Sequence, residues 1–435
     1  MSVSVLDYIP SGLHAAIAAH TSTTDVSSYI QAAIDDVAND GGGTVYFPAG
    51  SYHSTDTIEN KRFVSWRGDG PNASAIVWPL SHTTHGVRQA SGLNGGSIAG
   101  LTVESIGFAN CNTAGTTFNT ASSAGGGWYD TGSHQVRFVS CNFGGWKYGV
   151  ILDQSEEIDF YECNFNNNKN GLWIVNGYEA ELNNTSEQTG PAAGGYSNRI
   201  SVHSGGFSGN TNIAILDDGG EGRLYEGINI NTGVRAGRFA GVTNLRIGDC
   251  YVEGIGEAPF LFAATTLSGV SAGSCSAVEF QGNLVSPVSG KSMIEIGSLG
   301  FLTLQANRCS GSTPVLVSGV QNCAAFFSRG NSTDRSMVDN QAVYITQIDE
   351  YVLERSVTAT VGAIGANSTA YLNITATGFT PGDFVEAITT SVDLGDDIVV
   401  TARTTTNTCR LRIRNEGAAT SLPSCTYRAL LRKRF

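Results

Sequence analysis

The sequence lacks the features of membrane-spanning and exported proteins. Its 435 residues contain no apolar run of about 18 residues or more. The first five residues, Met-Ser-Val-Ser-Val, provide neither a basic start nor a long apolar segment. We therefore expect no membrane insertion and no export by the common route. Helical periodicity is also scarce, which indicates an all-β fold.

Excess basic charge and metal-type cysteine pairs are absent as well. The formal net charge of -13 argues against a nucleic-acid-binding groove. The nine cysteines are odd in number and include no Cys-x-x-Cys pair, so we expect mostly reduced thiols and no metal or other cofactor. Charged residues make up only 14% of the chain and glycines number 54, a composition typical of many tight turns around a compact solenoid.

The sequence does contain an internal repeat, which is clearest in residues 135–145. Its pattern is apolar, x, apolar, x, x, small or Cys, x, apolar. Four segments match it fully: Val136/Phe138/Cys141/Phe143, Ile158/Phe160/Cys163/Phe165, Ile200/Val202/Gly205/Phe207 and Leu245/Ile247/Cys250/Val252. Looser copies begin at Leu101, Arg223, Val278 and Leu302. A recurrence of this kind predicts a solenoid.

Each repeat predicts one coil of three short strands. The shortest spacing between copies is 22 residues. Period-2 alternation predicts one strand before a two-residue polar kink and another after it, and a third strand follows a Gly/Asn turn. The third strands are predicted at residues 149–152, 171–174, 212–215, 260–262 and 315–317. Three short strands in each unit indicate a parallel β-helix.

The sixth position of the repeat is predicted to face the interior of the coil. Its occupants are Cys141, Cys163, Gly205, Cys250, Asn283 and Asn307. Stacking at this position explains buried thiols without assigning any chemistry to the cysteines.

Ahead of the repeat, residues 1–24 are predicted to be irregular, and residues 25–39 to form the one clear helix, capped by Thr24 or Asp25. Four short phrases occur in this region in order: Leu6-Asp-Tyr-Ile-Pro10, Tyr29-Ile-Gln-Ala-Ala-Ile34, Gly43-Thr-Val-Tyr-Phe-Pro-Ala-Gly50 and Arg67-Gly-Asp-Gly-Pro71. Their order resembles the N-terminal segment of phage tailspikes, polysaccharide depolymerases of the pectate-lyase-like superfamily. The motifs carry this resemblance over residues 5–80, and the repeat pattern alone carries it over residues 100–330.

The resemblance implies a right-handed coil whose open end is capped by the helix, and assembly as a homotrimer. It also implies binding, and often cleavage, of a bacterial surface polysaccharide such as a capsule, an exopolysaccharide or an O-antigen. The expected location is the virion tail, after synthesis in the bacterial host cytoplasm, with other virion tail proteins as further partners.

Three regions are expected: an N-terminal lead-in and capping helix in residues 1–60, a parallel β-helix carrying the glycan site in 61–340, and a C-terminal β-sandwich in 356–435. The C-terminal region has a net charge of +2, which leaves -15 for the remainder. By the tailspike resemblance it trimerises the chain, and a carbohydrate-binding module is the alternative. Its strands are predicted at residues 357–361, 370–374, 384–388, 397–401, 409–413 and 427–431, after a bridging strand at 344–352.

Acidic residues concentrate in the turn that leads from the third strand into the next coil. Because successive coils lie about 4.8 Å apart, these turns are expected to share one outer face. We therefore predict a two-carboxylate hydrolysis.

The catalytic candidates are Asp217, Asp218, Glu179 and Glu156. The alternative for the Asp-Asp-Gly-Gly turn is ordinary solvated turn chemistry. Glu179 lies in a loop of about 20 residues, and loops of that length in a compact repeat are usually functional or disordered.

Glycan-binding candidates come from the kinks and from aromatic residues. The kink residues Glu162, His203 and Glu226 are predicted to form a column whose spacing also suits a retaining or inverting catalytic pair, with a solvated polar ladder as the alternative. Trp173 has inward-facing neighbours, so alternation turns it outward, where an indole can stack on a sugar ring. Packing between coils or protomers is the alternative for such aromatic residues. The substrate-binding candidates are Trp173, Tyr178, Glu181, Glu162 and His203.

Hydrolysis is favoured over a lyase reaction because a lyase site usually presents cations or a metal to the uronate carboxylate. The cations near the acidic turns are Lys147, Lys169, Arg199 and Arg223. A polysaccharide lyase and a catalytically inactive glycan-binding adhesin are the alternatives.

Overall fold

The structure, a computed structural model, describes residues 1–89, 98–112, 118, 125–175, 197–265, 273–288, 290–310, 315–318, 322–329, 332–333, 352–375, 384–391, 394 and 397–432. The chain divides into two compact units. The first is Met1–Cys323 with Ser328–Asp339, and the second is Ala324–Phe327 with Asn340–Phe435.

The first unit is a right-handed parallel β-helix, which confirms the predicted fold class. Within the described residues, sheet 1 has thirteen strands, sheet 2 has eleven and sheet 3 has ten. Sheet 1 consists of Ser2–Ser4, Gly43–Phe47, Val64–Gly68, Ile98–Ala99, Thr102–Glu104, Ser133–Val139, Glu156–Tyr161, Asn198–His203, Gly220–Glu226, Val242–Gly248, Ser276–Gln281, Leu299–Gln305 and Cys323–Arg329. Sheet 2 consists of Gly50–His53, Ser74–Trp78, Gly107–Asn110, Asn142–Gly144, Asn164–Asn166, Gly206–Ser208, Asn229–Gly233, Tyr251–Ile255, Leu284–Pro287, Arg308–Cys309 and Ser332–Thr333. Sheet 3 consists of Ile58–Asn60, Val87–Gln89, Gly126–Thr131, Tyr148–Asp153, Asn170–Val175, Ile213–Asp217, Arg235–Ala240, Phe260–Ala263, Ser292–Ile296 and Val315–Ser318.

The coils stack in the register that the repeat predicts. Val136 pairs with Ile158, and Ile158 pairs with Ile200 in the next coil. Five of the described third strands were not predicted: Ile58–Asn60, Val87–Gln89, Gly126–Thr131, Arg235–Ala240 and Ser292–Ile296. The first coil also begins earlier than expected, because strands between residues 43 and 60 already belong to all three sheets.

The sixth position of the repeat lies inside the coil, as predicted. Cys141, Cys163 and Cys250 are fully or almost fully buried. Asn283 and Asn307 continue the column, where the backbone N–H of Cys250 donates to Asn283 Oδ1 and that of Asn283 donates to Asn307 Oδ1, each at 3.0 Å. The amides therefore satisfy backbone donors at a turn, where no ladder of strands can do so.

The predicted kinks are a column of residues in the left-handed backbone region. Ser140, Glu162, Ser204 and Asp249 have φ between 50° and 61°, and glycines occupy the equivalent place in other coils. A second left-handed column, which includes Gln135 and Glu157, runs along the start of the sheet 1 strands. The bends of the coil thus come from a backbone conformation repeated at fixed positions.

Two α-helices precede the coil. Helix α2, Ser27–Asn39, is the predicted helix and buries Ile30, Ala33, Ile34 and Val37. Asp25 Oδ1 accepts a hydrogen bond from the Ser27 N–H at 3.1 Å, in the manner of a capping residue. The expectation that residues 1–24 are irregular is wrong, because Ser11–Ala18 forms helix α1 and Val5–Asp7 a turn of 3₁₀-helix. Helix α1 buries only Ile17, which explains its weak periodicity.

In its described residues the second unit has two three-stranded antiparallel sheets, and all six predicted strands are present. Sheet 4 has the order Val352–Ile364, Thr420–Arg432, Phe384–Thr390. Sheet 5 has the order Thr369–Thr375, Thr408–Asn415, Ile398–Thr405. Residues from both sheets form one core, which includes Ile374, Leu411, Leu422 and Tyr427. Residues 344–351 of the predicted bridging strand lie outside the described residues.

All nine cysteines are among the described residues and are buried thiols rather than disulfides. No helix in the described part of the chain is long and apolar enough to cross a membrane.

Candidate functional site

Asp217 lies inside the coil, so its predicted place in an outward turn is wrong. The sheet 3 strand continues through Asp217, which pairs with inward-facing Ile174 and Phe239 and is fully buried. Its Oδ2 accepts from Arg223 Nε at 2.7 Å and from the Tyr225 hydroxyl at 3.0 Å. Burial, together with the Asp217 charge, raises the pKa of Tyr225. This buried ion pair has the geometry of a structural group.

Asp218 and Trp173 lie on the outer face of sheet 3, but both are buried. Trp173 Nε1 donates to Asp218 Oδ2 at 3.0 Å, and Arg238 Nη1 contacts Asp218 Oδ1 at 3.1 Å. The ring of Trp173 stacks on that of Tyr148 at 4.5 Å between centroids. The expectation that Trp173 is exposed is therefore wrong, since alternation identifies the side of a sheet and not what covers it. The apolar cluster here is Tyr129, Tyr148, Ile151, Trp173, Val175, Ile213 and Leu216.

Glu156 lies on sheet 1 instead. Its Oε2 contacts His134 Nδ1 at 3.1 Å, and its Oε1 accepts from Asn198 Nδ2 at 3.4 Å. The predicted convergence of the acidic turns therefore fails for these residues: Asp217 is inside the coil, Asp218 is on sheet 3 and Glu156 is on sheet 1. The other candidates, Tyr178, Glu179 and Glu181, lie outside the described residues.

The kink residues form two columns rather than one. Tyr161, His203 and Glu226 are aligned across adjacent strands, with the His203 ring stacked on Tyr161 at 4.9 Å and its Nδ1 3.8 Å from Glu226 Oε2. Glu162 lies one residue further along the chain, in the left-handed column, where its Oε2 accepts from the Ser140 hydroxyl at 3.2 Å. His203 and Glu226 are thus neighbours, whereas Glu162 does not stack with them as predicted.

A groove on the outer face of sheet 1 carries acidic groups. It has two cavities of about 410 Å³ and 540 Å³, and Glu157 and Asp159 line both of them. We call this the sheet 1 groove. The first cavity is completed by Gly100, Leu101, Thr102, Gln135, Val136 and Arg137. The second is completed by Arg199, Ile200, Ser201, Gly222, Arg223, Leu224, Asn244 and Arg246.

The two carboxylates of the groove are held by neighbours in the next coil. Glu157 forms an ion pair with Arg199 Nη1, and Asp159 accepts from the Ser201 hydroxyl. Both acids are half-buried and line the groove, whereas Ile158 between them is buried in the core. The pair is therefore fixed on a rigid strand and remains accessible from the groove.

The groove is also flanked by cations. Arg137 and Arg246 line its two cavities, in addition to Arg199. Arg246 Nη2 lies 3.8 Å from Glu226 Oε1, and the Arg137 guanidinium lies 5.8 Å from the centre of the Tyr161 ring. This positive charge was not expected from the sequence, because Arg137 and Arg246 lie on strand faces and not in the acidic turns. Alternation alone would have placed Arg137, Asp159 and Arg246 outward.

Among the described residues, no group of three or more His, Cys, Asp or Glu side chains could hold a metal ion. The chemistry of the described groove is thus that of carboxylates, guanidiniums and hydroxyls.

Comparison with known proteins gives structural matches only. No protein-family model and no curated protein matches the chain. A solved structure of ORF18 from Geobacillus virus E2 is 14% identical, with a TM-score of 0.58 over 98% of this chain and 76% of that one. A point mutant of the tailspike of E. coli bacteriophage HK620, in complex with a pentasaccharide, is 13% identical, with a TM-score of 0.57 over 100% and 94%. Another mutant of that tailspike, in complex with a hexasaccharide, is 14% identical, with a TM-score of 0.55 over 100% of this chain and 93% of that one. The chain therefore has the parallel β-helix fold of phage tailspikes, as its N-terminal motifs indicated.

Proposed function

We propose that the protein is a phage tailspike depolymerase that binds a bacterial surface polysaccharide along the sheet 1 groove and hydrolyses it there. The observation that carries this proposal is that Glu157 and Asp159 line both cavities of the groove. A chain crossing from one cavity to the other would pass both carboxylates. The HK620 tailspike structures, which hold a pentasaccharide and a hexasaccharide on the same fold, support a glycan as the ligand.

Two carboxyl groups are the chemical minimum for this reaction. One donates a proton to the glycosidic oxygen as the bond to the anomeric carbon breaks, and the other removes a proton from the water that attacks that carbon. Glu157 has a left-handed φ of 55°, so the two carboxyl groups are brought together by a bend at the start of the strand rather than by regular strand spacing, and both line the same cavities. Glu157 and Asp159 therefore replace Asp217 as the proposed pair.

The remaining described candidates belong to the borders of the groove in this proposal. Glu156 lies beside Glu157, and His203 and Glu226 lie two residues beyond the strand positions of the groove floor. Their polar groups would contact sugar hydroxyls on either side of the reacting bond. Glu162 lies in the adjacent left-handed column and would contact the same ligand only at its edge.

Elimination by a lyase is a second candidate because of the three arginines in the groove. A lyase removes the proton next to a uronate carboxylate, expels the sugar oxygen attached at the next carbon and leaves a double bond. Arg137, Arg199 and Arg246 could neutralise the uronate during that step. In the sequence, the small number of cations near the acidic turns favoured hydrolysis. The groove, however, is lined by three arginines.

The experiment compares wild type with Glu157→Gln and Asp159→Asn on capsule or O-antigen from candidate hosts. Each variant should lose cleavage by at least about 100-fold, as expected when an acid or base is removed, while it still binds the glycan. Glu253→Gln, on sheet 2, is the control and should cleave normally. Reducing ends without ultraviolet absorbance indicate hydrolysis, whereas an absorbing unsaturated product indicates the lyase.

Two results would contradict the proposal. Normal cleavage by both variants would place the site elsewhere on the chain. Binding without cleavage by wild type on every glycan that it recognises would make the protein an adhesin.

A further inference from the structure

The outer face of sheet 5 carries a row of arginines. In the central strand, Thr408–Asn415, the buried residues Cys409, Leu411 and Ile413 alternate with Arg410, Arg412 and Arg414. Because side chains of alternate residues point to opposite faces, these three guanidiniums share the face turned away from the core of the second unit. Arg403, on the neighbouring strand, is paired directly with Arg410 and is exposed.

This arrangement is unfavourable for folding alone. Like charges directly opposite each other on neighbouring strands destabilise a sheet. Arg410 Nε is shielded from solvent and has no hydrogen-bond acceptor among the described residues. In the described part of the second unit, the one ion pair made by this face joins Arg414 Nε to Glu416 at 3.6 Å. Among the described residues, the four guanidiniums of this face therefore carry an excess of positive charge, which favours an anionic ligand.

Five arginines of the first unit are placed differently. Arg199, Arg223, Arg235, Arg238 and Arg246 each contact at least one carboxylate of the coil. The sequence shows the same contrast in net charge, +2 for residues 356–435 against -15 for the rest. The positive face of sheet 5 is therefore a local feature in an acidic protein.

An exposed aromatic ring lies within the arginine row. Tyr371 is 54% exposed, and the Arg410 guanidinium lies 4.2 Å from the centre of its ring. Tyr371 is paired with Arg412 across the strands, so the ring and the charges occupy one surface. An aromatic platform beside guanidiniums fits a sugar that carries a carboxylate, since the ring stacks on the pyranose and the guanidinium binds the acid by two parallel hydrogen bonds.

We propose that the sheet 5 face, formed by Tyr371, Arg403, Arg410, Arg412 and Arg414, is a second glycan-binding site that takes an acidic polysaccharide bearing carboxylates. The choice of a polysaccharide over another polyanion rests on the function proposed above, whereas the anion site rests only on the charges and contacts of sheet 5. The site contains no catalytic pair, so it holds substrate without cleaving it.

The test uses the full chain in affinity electrophoresis through gels that contain polygalacturonate, neutral dextran or polyglutamate. Wild type should be retarded by polygalacturonate more than by the other two, and less so at high salt. The double variant Arg412→Gln/Arg414→Gln should bind polygalacturonate at least about tenfold more weakly, and Tyr371→Ala should also weaken binding. The control Lys291→Gln/Arg308→Gln makes the same charge change at two exposed positions of the first unit and should bind normally.

Three outcomes would overturn the proposal. Equal retardation of the double variant and wild type would show that sheet 5 does not bind the glycan. Equal retardation by polyglutamate and polygalacturonate would reduce the face to a general anion surface. If the double variant differs from wild type in mass by light scattering while its glycan binding is intact, the face is instead a contact between copies of the chain. Cleavage assays on the same variants should match wild type, so failure of the groove proposal and failure of this one are distinguishable.

Discussion

Asp217 and Arg223 illustrate how the coil interior accommodates charge. Both side chains are fully buried, and Arg223 Nη2 also donates to the carbonyl oxygens of Ser197 at 2.8 Å and Gly219 at 2.7 Å. Paired and hydrogen-bonded in this way, the two ions close the turn between sheet 3 and sheet 1. Removing one partner would leave the other as an uncompensated buried charge.

The first prediction is that Asp217→Asn destabilises the protein without affecting cleavage. The free energy of unfolding should fall by about 3–5 kcal/mol, the usual cost of breaking a buried ion pair. Urea denaturation gives this value, and cleavage should be normal per folded molecule. Glu221→Gln, an exposed acid of the same turn, is the control and should change stability by less than about 0.5 kcal/mol. A stable but inactive Asp217→Asn variant would contradict this prediction and indicate a catalytic role for Asp217.

His85 gives the second prediction, which concerns pH. The ring is 8% exposed, its Nδ1 accepts from the Gly126 N–H at 3.0 Å, and it stacks on Tyr129 at 4.6 Å. Burial, with smaller contributions from Arg88 and His82, lowers the pKa of His85 to about 4. Between the ordinary histidine value of about 6.5 and this value, the unfolded chain takes up a proton that the folded chain does not. Stability should therefore fall as the pH drops from about 6.5 towards 4, by at most about 1.4 kcal/mol per pH unit from this group.

The check is urea denaturation between pH 7 and pH 5. His85→Asn retains an acceptor for Gly126 and should reduce the slope of unfolding free energy against pH. His20→Asn, at an exposed histidine, should leave the slope as in wild type. An unchanged slope in His85→Asn would show that this imidazole does not control the pH dependence.

At the scale of elements, the strands of the coil were predictable because burial on one side imposes period-2 alternation. The same reasoning failed where an element has both faces covered or is short. Arg235–Ala240 contains two arginines and reads as a polar turn, and helix α1 buries a single side chain. Asp217 was misplaced because its residue type suggested a turn, although the inward position of Ile215 predicts an inward residue at 217.

The site was less predictable than the fold for a related reason. Trp173 and Asp218 are covered on the outer face of sheet 3, and no sequence pattern reports the segment that covers a sheet. Asp159 was overlooked because a single acid within an alternating strand resembles any solvated position. Its importance arises only when stacking brings it beside Ser201, at a distance of 42 residues along the chain.

The third prediction tests the stacking of the coil. Cys141, Cys163 and Cys250 are interior, and burial raises the pKa of the Cys250 thiol to about 12, so the reactive thiolate is rare at neutral pH. A thiol reagent should label them only after denaturation, as measured by mass spectrometry of peptides. Native labelling of all three within minutes would contradict the register on which the groove depends.

At the scale of the whole molecule, the fourth prediction concerns assembly. The tailspike fold and the separate C-terminal sandwich lead us to expect a homotrimer of about three times 45.6 kDa. Light scattering of the purified protein measures this mass directly, and the monomer value would refute it. A chain lacking residues 356–435 should be less soluble or misassembled, and a normal trimer from that chain would place the assembly contacts in the coil.

Because neighbouring coils stack in one register, a single coil can be deleted or exchanged as a unit by genetic recombination. Arg137 pairs with Thr102 on one side and with Asp159 on the other. A genetic exchange that removed residues 136–157 would bring Asp159 beside Thr102, with the columns of sheet and turn still aligned. The outer surface of such a coil can therefore diversify by whole modules of 22 residues while its hydrophobic core is retained.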